Sequence, residues 1–66
     1  MNVILLRQKM LERGIQCKDI TDYLRISASA TARKMNNKTE FTQSEIKGLI
    51  SLLRLSSEEV MSIFFT

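Results

Sequence analysis

The residues best suited to molecular recognition lie in residues 26–35, which read ISASATARKM. At about 100° per residue, a helix here groups several side chains within an arc of about 140°. They are Ala28, Ser29, Ala32, Arg33 and Asn36. Small side chains let another surface approach closely, and a guanidinium can donate two parallel hydrogen bonds to a planar acceptor. The alternative is that the alanines are present only as good helix formers.

Catalytic groups are scarce in this sequence. Histidine is absent, and Cys17 therefore has no histidine to activate it as a nucleophile. Gly14 and Gly48 are too far apart to form a phosphate-binding loop. One cysteine without histidine also cannot supply the usual zinc ligands. We therefore expect no enzyme, no metal site and no other cofactor.

The length and the cysteine content limit the class of protein. The chain has 66 residues, enough for one domain with a small core, so we expect a single domain over residues 1–66. Cys17 is the only cysteine, and no intramolecular disulfide can form. Reduced cysteine is typical of intracellular proteins, and no apolar run approaches the roughly 20 residues of a membrane span. These features predict a cytoplasmic protein without a membrane partner.

Charge is distributed unevenly along the chain. Residues 1–38 carry eight basic and three acidic side chains, whereas residues 39–66 carry two basic and four acidic ones. A basic surface indicates a polyanion as the partner. The same charges also suit an ordinary solvated face, and charge alone does not favour either interpretation.

Apolar spacing and capping residues predict an all-α fold, a compact bundle of five short helices. The first two helices are expected at about residues 2–13 and 16–24, with Gly14 as the left-handed stop between them. The third helix is expected to begin after the N-cap Ser27 and to end at residues 36–37, where asparagine tolerates a left-handed backbone.

Capping boxes predict where the last two helices begin. Residues 42–45 read TQSE and residues 56–59 read SSEE, so each has a hydroxyl residue followed three positions later by glutamate. Apolar pairs flank both boxes and can act as hydrophobic staples. These pairs are Phe41 with Ile46, and Leu55 with Val60.

Residues 25–27 alone join the second and third helices, which is the spacing of a helix-turn-helix. This region resembles the helix-turn-helix of the lambda-repressor-like (repressor/Cro, or XRE) family. The matching segments are GIQCKDI at 14–20, YLRIS at 23–27, RKMNNK at 33–38, EFT at 40–42, LSSEEV at 55–60 and IFF at 63–65. They span nearly the whole chain, and the later part is most similar to small phage and prophage regulators of Gram-positive bacteria.

The chain departs from the family's pattern at four positions. Thr21 stands where alanine is usual, and Cys17 stands where glutamine often contacts a phosphate. Arg25 replaces a turn glycine, which costs about 1 kcal/mol if its backbone is left-handed. Thr31 replaces a large apolar residue, so we expect the third helix to be held less firmly.

The resemblance implies that the third helix enters the major groove of DNA and reads bases through Ala28, Ser29 and Arg33. Arginine can bind guanine O6 and N7, serine can bond to several base edges, and alanine can contact a thymine methyl group. Arg33 alone would discriminate strongly, by about 1–3 kcal/mol, so we expect DNA shape to contribute as well.

Phosphate contacts are expected at the start of the second helix and in the loop after the third. For each lysine among them, a solvated surface is the equally supported alternative, and Cys17 also suits a purely structural role. The candidate DNA-binding residues are Cys17, Lys18, Ser27, Ala28, Ser29, Ala32, Arg33, Asn37, Lys38 and Thr39.

Two aromatic residues, Phe64 and Phe65, end the sequence apart from a final threonine. Adjacent side chains on a helix cannot both point into the core. An exposed aromatic suggests a dimer contact, and two recognition helices about 34 Å apart would suit a palindromic operator. The alternative is that the second ring only covers an edge of the core.

The resemblance therefore implies a sequence-specific regulator, repressor-like or Cro-like, that binds operator DNA as a homodimer. An alternative from another class is a protein-interaction module that binds another phage regulator through the same fold without reading DNA. A third interpretation is a fragment of a larger repressor.

Overall fold

The computed structural model describes residues 1–65, and within them the chain forms five α-helices and no strand. The predicted all-α architecture is confirmed. The helices are α1 (Val3–Arg13), α2 (Cys17–Leu24), α3 (Ala28–Met35), α4 (Gln43–Leu53) and α5 (Ser57–Phe64). None of these helices is long and apolar enough to cross a membrane.

Both predicted capping boxes are confirmed. The Thr42 hydroxyl accepts from the Glu45 backbone N–H at 3.1 Å, and the Glu45 carboxylate accepts from the Thr42 N–H at 2.8 Å. Ser56 and Glu59 make the same reciprocal pair at 3.2 and 2.8 Å. Each box satisfies two backbone donors that a helix start leaves unpaired, which fixes where α4 and α5 begin.

Left-handed residues end three of the helices. Gly14 ends α1 with φ 68°, as predicted, and Arg25 and Arg54 end α2 and α4 with φ 57° and 54°. Arg25 therefore adopts the expected strained turn, at a cost of about 1 kcal/mol. After α3 the left-handed residue is Asn37, with φ 60°.

The core is formed by one apolar side chain or more from each helix and from the adjoining loops. Its fully or nearly buried members are Leu6, Met10, Ile20, Met35, Phe41, Leu49, Leu53, Leu55 and Ile63. α2 packs against α3 and α4, and α1 packs against α4 and α5. The helix-turn-helix of α2 and α3 is thus supported from behind by α4.

Ile20, Tyr23 and Leu24 have the spacing of one apolar side of α2, but the side chain of Tyr23 is 52% exposed. The cause is the close approach of α4 at Gly48. A Cβ atom at Gly48 would lie 2.6 Å from Leu24 Cδ2 and 3.6 Å from Tyr23 Cε2. The glycine lets Leu24 occupy this helix contact, and Tyr23 lies along its edge.

An ion-pair cluster joins α1 to α5. Glu59 lies 3.1 Å from both Lys9 and Arg13, and Lys9 also lies 3.3 Å from Glu12. The hydrogen bond from the Ser56 backbone and the bonds from Lys9 and Arg13 lower the pKa of Glu59 to about 2. In return, the bonds to Glu59 and Glu12 raise the pKa of Lys9.

Candidate nucleic-acid interface

The turn before α3 sets where that helix begins. Arg25 reverses the chain with its left-handed backbone, and the Ile26 N–H donates to the Thr21 carbonyl at 3.3 Å. Ser27 is the N-cap, as predicted, and its hydroxyl accepts from the Ala30 N–H at 3.0 Å. Because all of these bonds are local, the start of α3 is fixed relative to α2.

The inner face of α3 is held by one polar and one apolar residue. Thr31 and Met35 are each 1% exposed. The hydroxyl of Thr31 lies 2.7 Å from the hydroxyl of Thr21 and also donates to the Ser27 carbonyl at 3.2 Å. Since Thr31 has a single hydroxyl proton, Thr21 is the donor between the two hydroxyls. Hydrogen bonds of Thr31 therefore connect α2 and α3 at a position where no large apolar residue is present.

Lys34 ties one side of α3 to α4. Its ammonium group donates to the Glu45 carboxylate at 3.0 Å and to the Glu40 carbonyl at 3.2 Å, and it lies 5.8 Å from the centre of the Phe41 ring. Burial favours a raised pKa at Glu45, but the Thr42 backbone hydrogen bond and the Lys34 ion pair outweigh it and lower the pKa. The side chain of Lys34 is half-buried.

The outer face of α3 is exposed to solvent. Every residue of the predicted arc is exposed: Ala28, Ser29, Ala32, Arg33 and Asn36. The Ser29 hydroxyl lies 3.3 Å from the Ser27 hydroxyl at the end of this face. The result is a shallow, small-residue surface with one long cationic side chain at Arg33.

Ion pairing divides the basic residues of the first half of the chain into two groups. Lys9, Arg13 and Lys34 pair with glutamates, on the sides of α1 and α3 that face α5 and α4. The other group makes no ion pair within residues 1–65, and it consists of Arg7, Lys18, Arg25, Arg33 and Lys38. Four of these five lie on or beside α2 and α3, where Asp19 and Asp22 also make no ion pair within the described residues, so the helix-turn-helix carries an excess of positive charge that these two carboxylates partly offset.

A groove of about 210 Å³ runs beside the outer face of α3, between α1, α2 and α3. Thr21, Thr31 and Met35 contribute to its lining, as do Ala28 and Ala32 of the small-residue face. The remaining lining residues are Arg7, Cys17, Lys18 and Asn36. The structure thus brings four predicted contact residues, Cys17, Lys18, Ala28 and Ala32, to one groove.

Arg7 was not predicted as part of this surface. It belongs to the first helix, outside the helix-turn-helix, and only the packing of α1 brings it to the groove. The sequence could have indicated this position, because Arg7 follows Leu6 and comes three residues before Met10, the two buried residues of α1. That spacing places Arg7 at the edge of the buried stripe, where it can face a neighbouring helix.

The loop residues predicted to contact phosphates are exposed after α3. The Lys38 N–H donates to the Arg33 carbonyl at 2.9 Å, and the Asn37 side chain donates to the Met1 carbonyl at 3.4 Å. Asn37 and Thr39 line a separate groove of about 310 Å³. Its other lining residues are Met1, Glu40, Phe41, Ile46, Phe64 and Phe65. The predicted DNA-binding residues therefore do not form one cluster: four line the groove beside α3, two line this second groove, and the other four line neither.

The two terminal aromatic residues have different surroundings. Phe64 is half-buried and packs against the core, whereas Phe65 is 62% exposed. Met61, in the last turn of α5 before Phe65, is 58% exposed. The expectation that only one of the two rings can point inward is confirmed.

The surface offers hydrogen-bond donors and positive charge, without a cluster of metal ligands. Within residues 1–65, no group of three or more cysteine, aspartate or glutamate side chains is arranged to bind a metal ion. Comparison with known proteins adds no relative: no family model, curated protein or solved structure matches this chain.

Proposed function

We propose that this chain is a sequence-specific DNA-binding regulator of transcription, similar to phage repressor and Cro proteins, that works on DNA in the bacterial cytoplasm. The observation that supports it best is the exposed small-residue face of α3, which carries Arg33 and projects from a helix-turn-helix. A helix of this kind can enter the major groove, which is about 12 Å wide.

In this proposal Ala28, Ala32 and Ser29 let the α3 backbone approach the bases. Arg33 supplies the strongest discrimination, because its guanidinium can bind guanine O6 and N7 together. Thr31, Met35 and Lys34 hold the opposite side of α3 against the bundle. Lys18 and Lys38 lie before and after this reading face, where phosphate contacts would set the register of the protein on DNA.

We further propose that two copies act together on an operator. Met61, on the side of α5 away from the buried Ile63, and Phe65, the residue that follows α5, are both exposed apolar side chains. Pairing of these residues across a two-fold axis would bury them and present two copies of α3 to a palindromic site.

The proposal is tested by titrating the protein into duplex DNA from its own upstream region and into a shuffled duplex of equal length, at two salt concentrations. We expect tighter binding to the upstream duplex at both salt concentrations. Equal and strongly salt-weakened binding to both duplexes would indicate phosphate contacts alone and would contradict sequence-specific reading. Absence of binding to either duplex would overturn the proposal.

A second candidate is a module that binds another regulatory protein instead of DNA. The observation that favours it is the outer face of α1, where Ile4 and Leu11 are 82% and 84% exposed and lie two turns apart on one side. Exposed apolar patches are common at protein interfaces. This function would be preferred if DNA affinity were absent and Ile4→Ser with Leu11→Ser abolished binding to a helical regulator encoded nearby.

A further inference from the structure

We propose that Arg7 binds a phosphate of the DNA backbone in the groove between α1, α2 and α3. This inference rests on the proposed DNA-binding function and adds a contact from outside the helix-turn-helix. The groove is also lined by Ala28 and Ala32, which belong to the reading face of α3. DNA held against that face would therefore bring its backbone close to the groove.

The lining of the groove suits a phosphate. Arg7 and Lys18 supply positive charge, Asn36 supplies an amide donor, and no acidic residue is among the lining residues. The volume of about 210 Å³ leaves room for one phosphate group. Phosphate oxygens accept charge-assisted hydrogen bonds well, and arginine can donate two of them in parallel.

Cys17 is a poor phosphate ligand beside Arg7 in this groove. A thiol is a weak hydrogen-bond donor, so the first residue of α2 cannot hold a phosphate by itself. Cys17 is also short and exposed at this end of α2, which leaves space beside it for the longer arginine side chain. The guanidinium thus provides the donor that the cysteine lacks.

Arg7 is also available for this role. It makes no ion pair within residues 1–65, whereas Lys9, two positions later on the side of α1 that faces α5, is paired with Glu12 and Glu59. Leu6 and Met10, the buried residues of α1, fix the rotation of the helix between these two basic residues. The charge of Lys9 is therefore neutralised by its ion pairs, whereas the guanidinium of Arg7 makes no ion pair within the described residues and lines the groove.

The test measures the salt dependence of DNA affinity for Arg7→Gln, Arg7→Lys and Arg54→Gln. Arg54 is the matched control because it loses the same charge and lines a different groove, beside Arg13 and Ile15. For Arg7→Gln we expect severalfold weaker binding to the upstream and the shuffled duplex alike, and a slope of log affinity against log salt that is less steep by about 0.9. For Arg7→Lys we expect the wild-type slope.

Each other outcome would overturn the inference in a distinguishable way. If the wild type binds DNA and Arg7→Gln changes the slope no more than Arg54→Gln does, Arg7 contacts no phosphate although the proposed function stands. If the slope for Arg7→Lys is reduced as much as the slope for Arg7→Gln, the weaker binding does not come from the loss of a positive charge. If the wild type binds neither duplex, the proposed function fails and this contact fails with it. Circular dichroism confirms beforehand that each variant is folded.

Discussion

The hydroxyl groups of Thr21 and Thr31 lie 2.7 Å apart between the two helices of the helix-turn-helix. Thr31 is almost fully buried, and its second bond, to the Ser27 carbonyl at 3.2 Å, joins it to the first turn of α3. A hydrogen bond has a directional preference that an apolar contact lacks. The orientation of α3 on α2 is therefore specified by a polar pair in a small core.

Replacing Thr31 by valine should destabilise the fold by about 1 kcal/mol, because the shape is kept while the Thr21 hydroxyl loses its partner. In a domain of this size that change lowers the Tm by roughly 4–8 °C. The double variant Thr21→Val with Thr31→Val should be more stable than the sum of the two single effects implies, since no hydroxyl is left unpaired. Thermal and urea unfolding of the four proteins measure this coupling.

Thr39→Val is the control for this experiment, because Thr39 is exposed and its replacement should change stability by less than about 0.5 kcal/mol. Additive effects of Thr21→Val and Thr31→Val would show that the two hydroxyls are not energetically coupled. The claim that this polar pair sets the orientation of α3 on α2 would then be wrong.

Glu59 should make the stability depend on pH in the acid range. Its pKa is about 2 in the folded protein and 4.5 ordinarily, so the folded state favours the ionised carboxylate. Stability from this group is complete above pH 4.5 and is lost as the pH falls from 4.5 towards 2. We expect the Tm of the wild type to fall across this window and that of Glu59→Gln to fall less.

The matched control for Glu59→Gln is Glu58→Gln, which removes a neighbouring exposed carboxylate on α5. We expect the control to keep the wild-type pH profile. If Glu59→Gln and the wild type lost stability in parallel between pH 4.5 and 2, the ion-pair cluster of α1 and α5 would not be the origin of the acid sensitivity.

Substitutions at Phe64 and Phe65 should have different effects, the first on the stability of the fold and the second on self-association. Phe64→Ala should destabilise the monomer by about 1–3 kcal/mol, since a half-buried ring loses part of the roughly 3–5 kcal/mol of a buried one. Phe65→Ser should leave the Tm of dilute protein nearly unchanged and reduce dimer formation, which sedimentation velocity over a concentration series measures. A dimer unaffected by Phe65→Ser would place the interface elsewhere.

The helix boundaries could be predicted from the sequence because the determining contacts are local. Thr42 with Glu45, and Ser56 with Glu59, lie three residues apart, so each capping box is visible in the sequence before any folding. The exposed face of α3 followed from helical periodicity for the same reason. Its five predicted residues are all exposed in the structure.

Other features required the packing of helices that are distant in the chain. The contact between Gly48 and Leu24 could not be predicted from the sequence, because a glycine in a helix has no apolar side chain to indicate a buried face. The pairing of Lys34 with Glu45, and of Arg13 with Glu59, depends on how α3 meets α4 and α1 meets α5. The place of Arg7 beside α2 and α3 depends on the same packing.

Reading of DNA bases by α3 is tested most directly at Arg33, which is exposed and makes no ion pair within residues 1–65. The measurement is the ratio of affinities for the upstream and shuffled duplexes, determined by fluorescence anisotropy for the wild type, Arg33→Ala and the charge-matched control Arg54→Ala. We expect Arg33→Ala to reduce the ratio by about 5- to 150-fold, which corresponds to about 1–3 kcal/mol, and Arg54→Ala to preserve it. An unchanged ratio in Arg33→Ala would contradict base reading by this helix face.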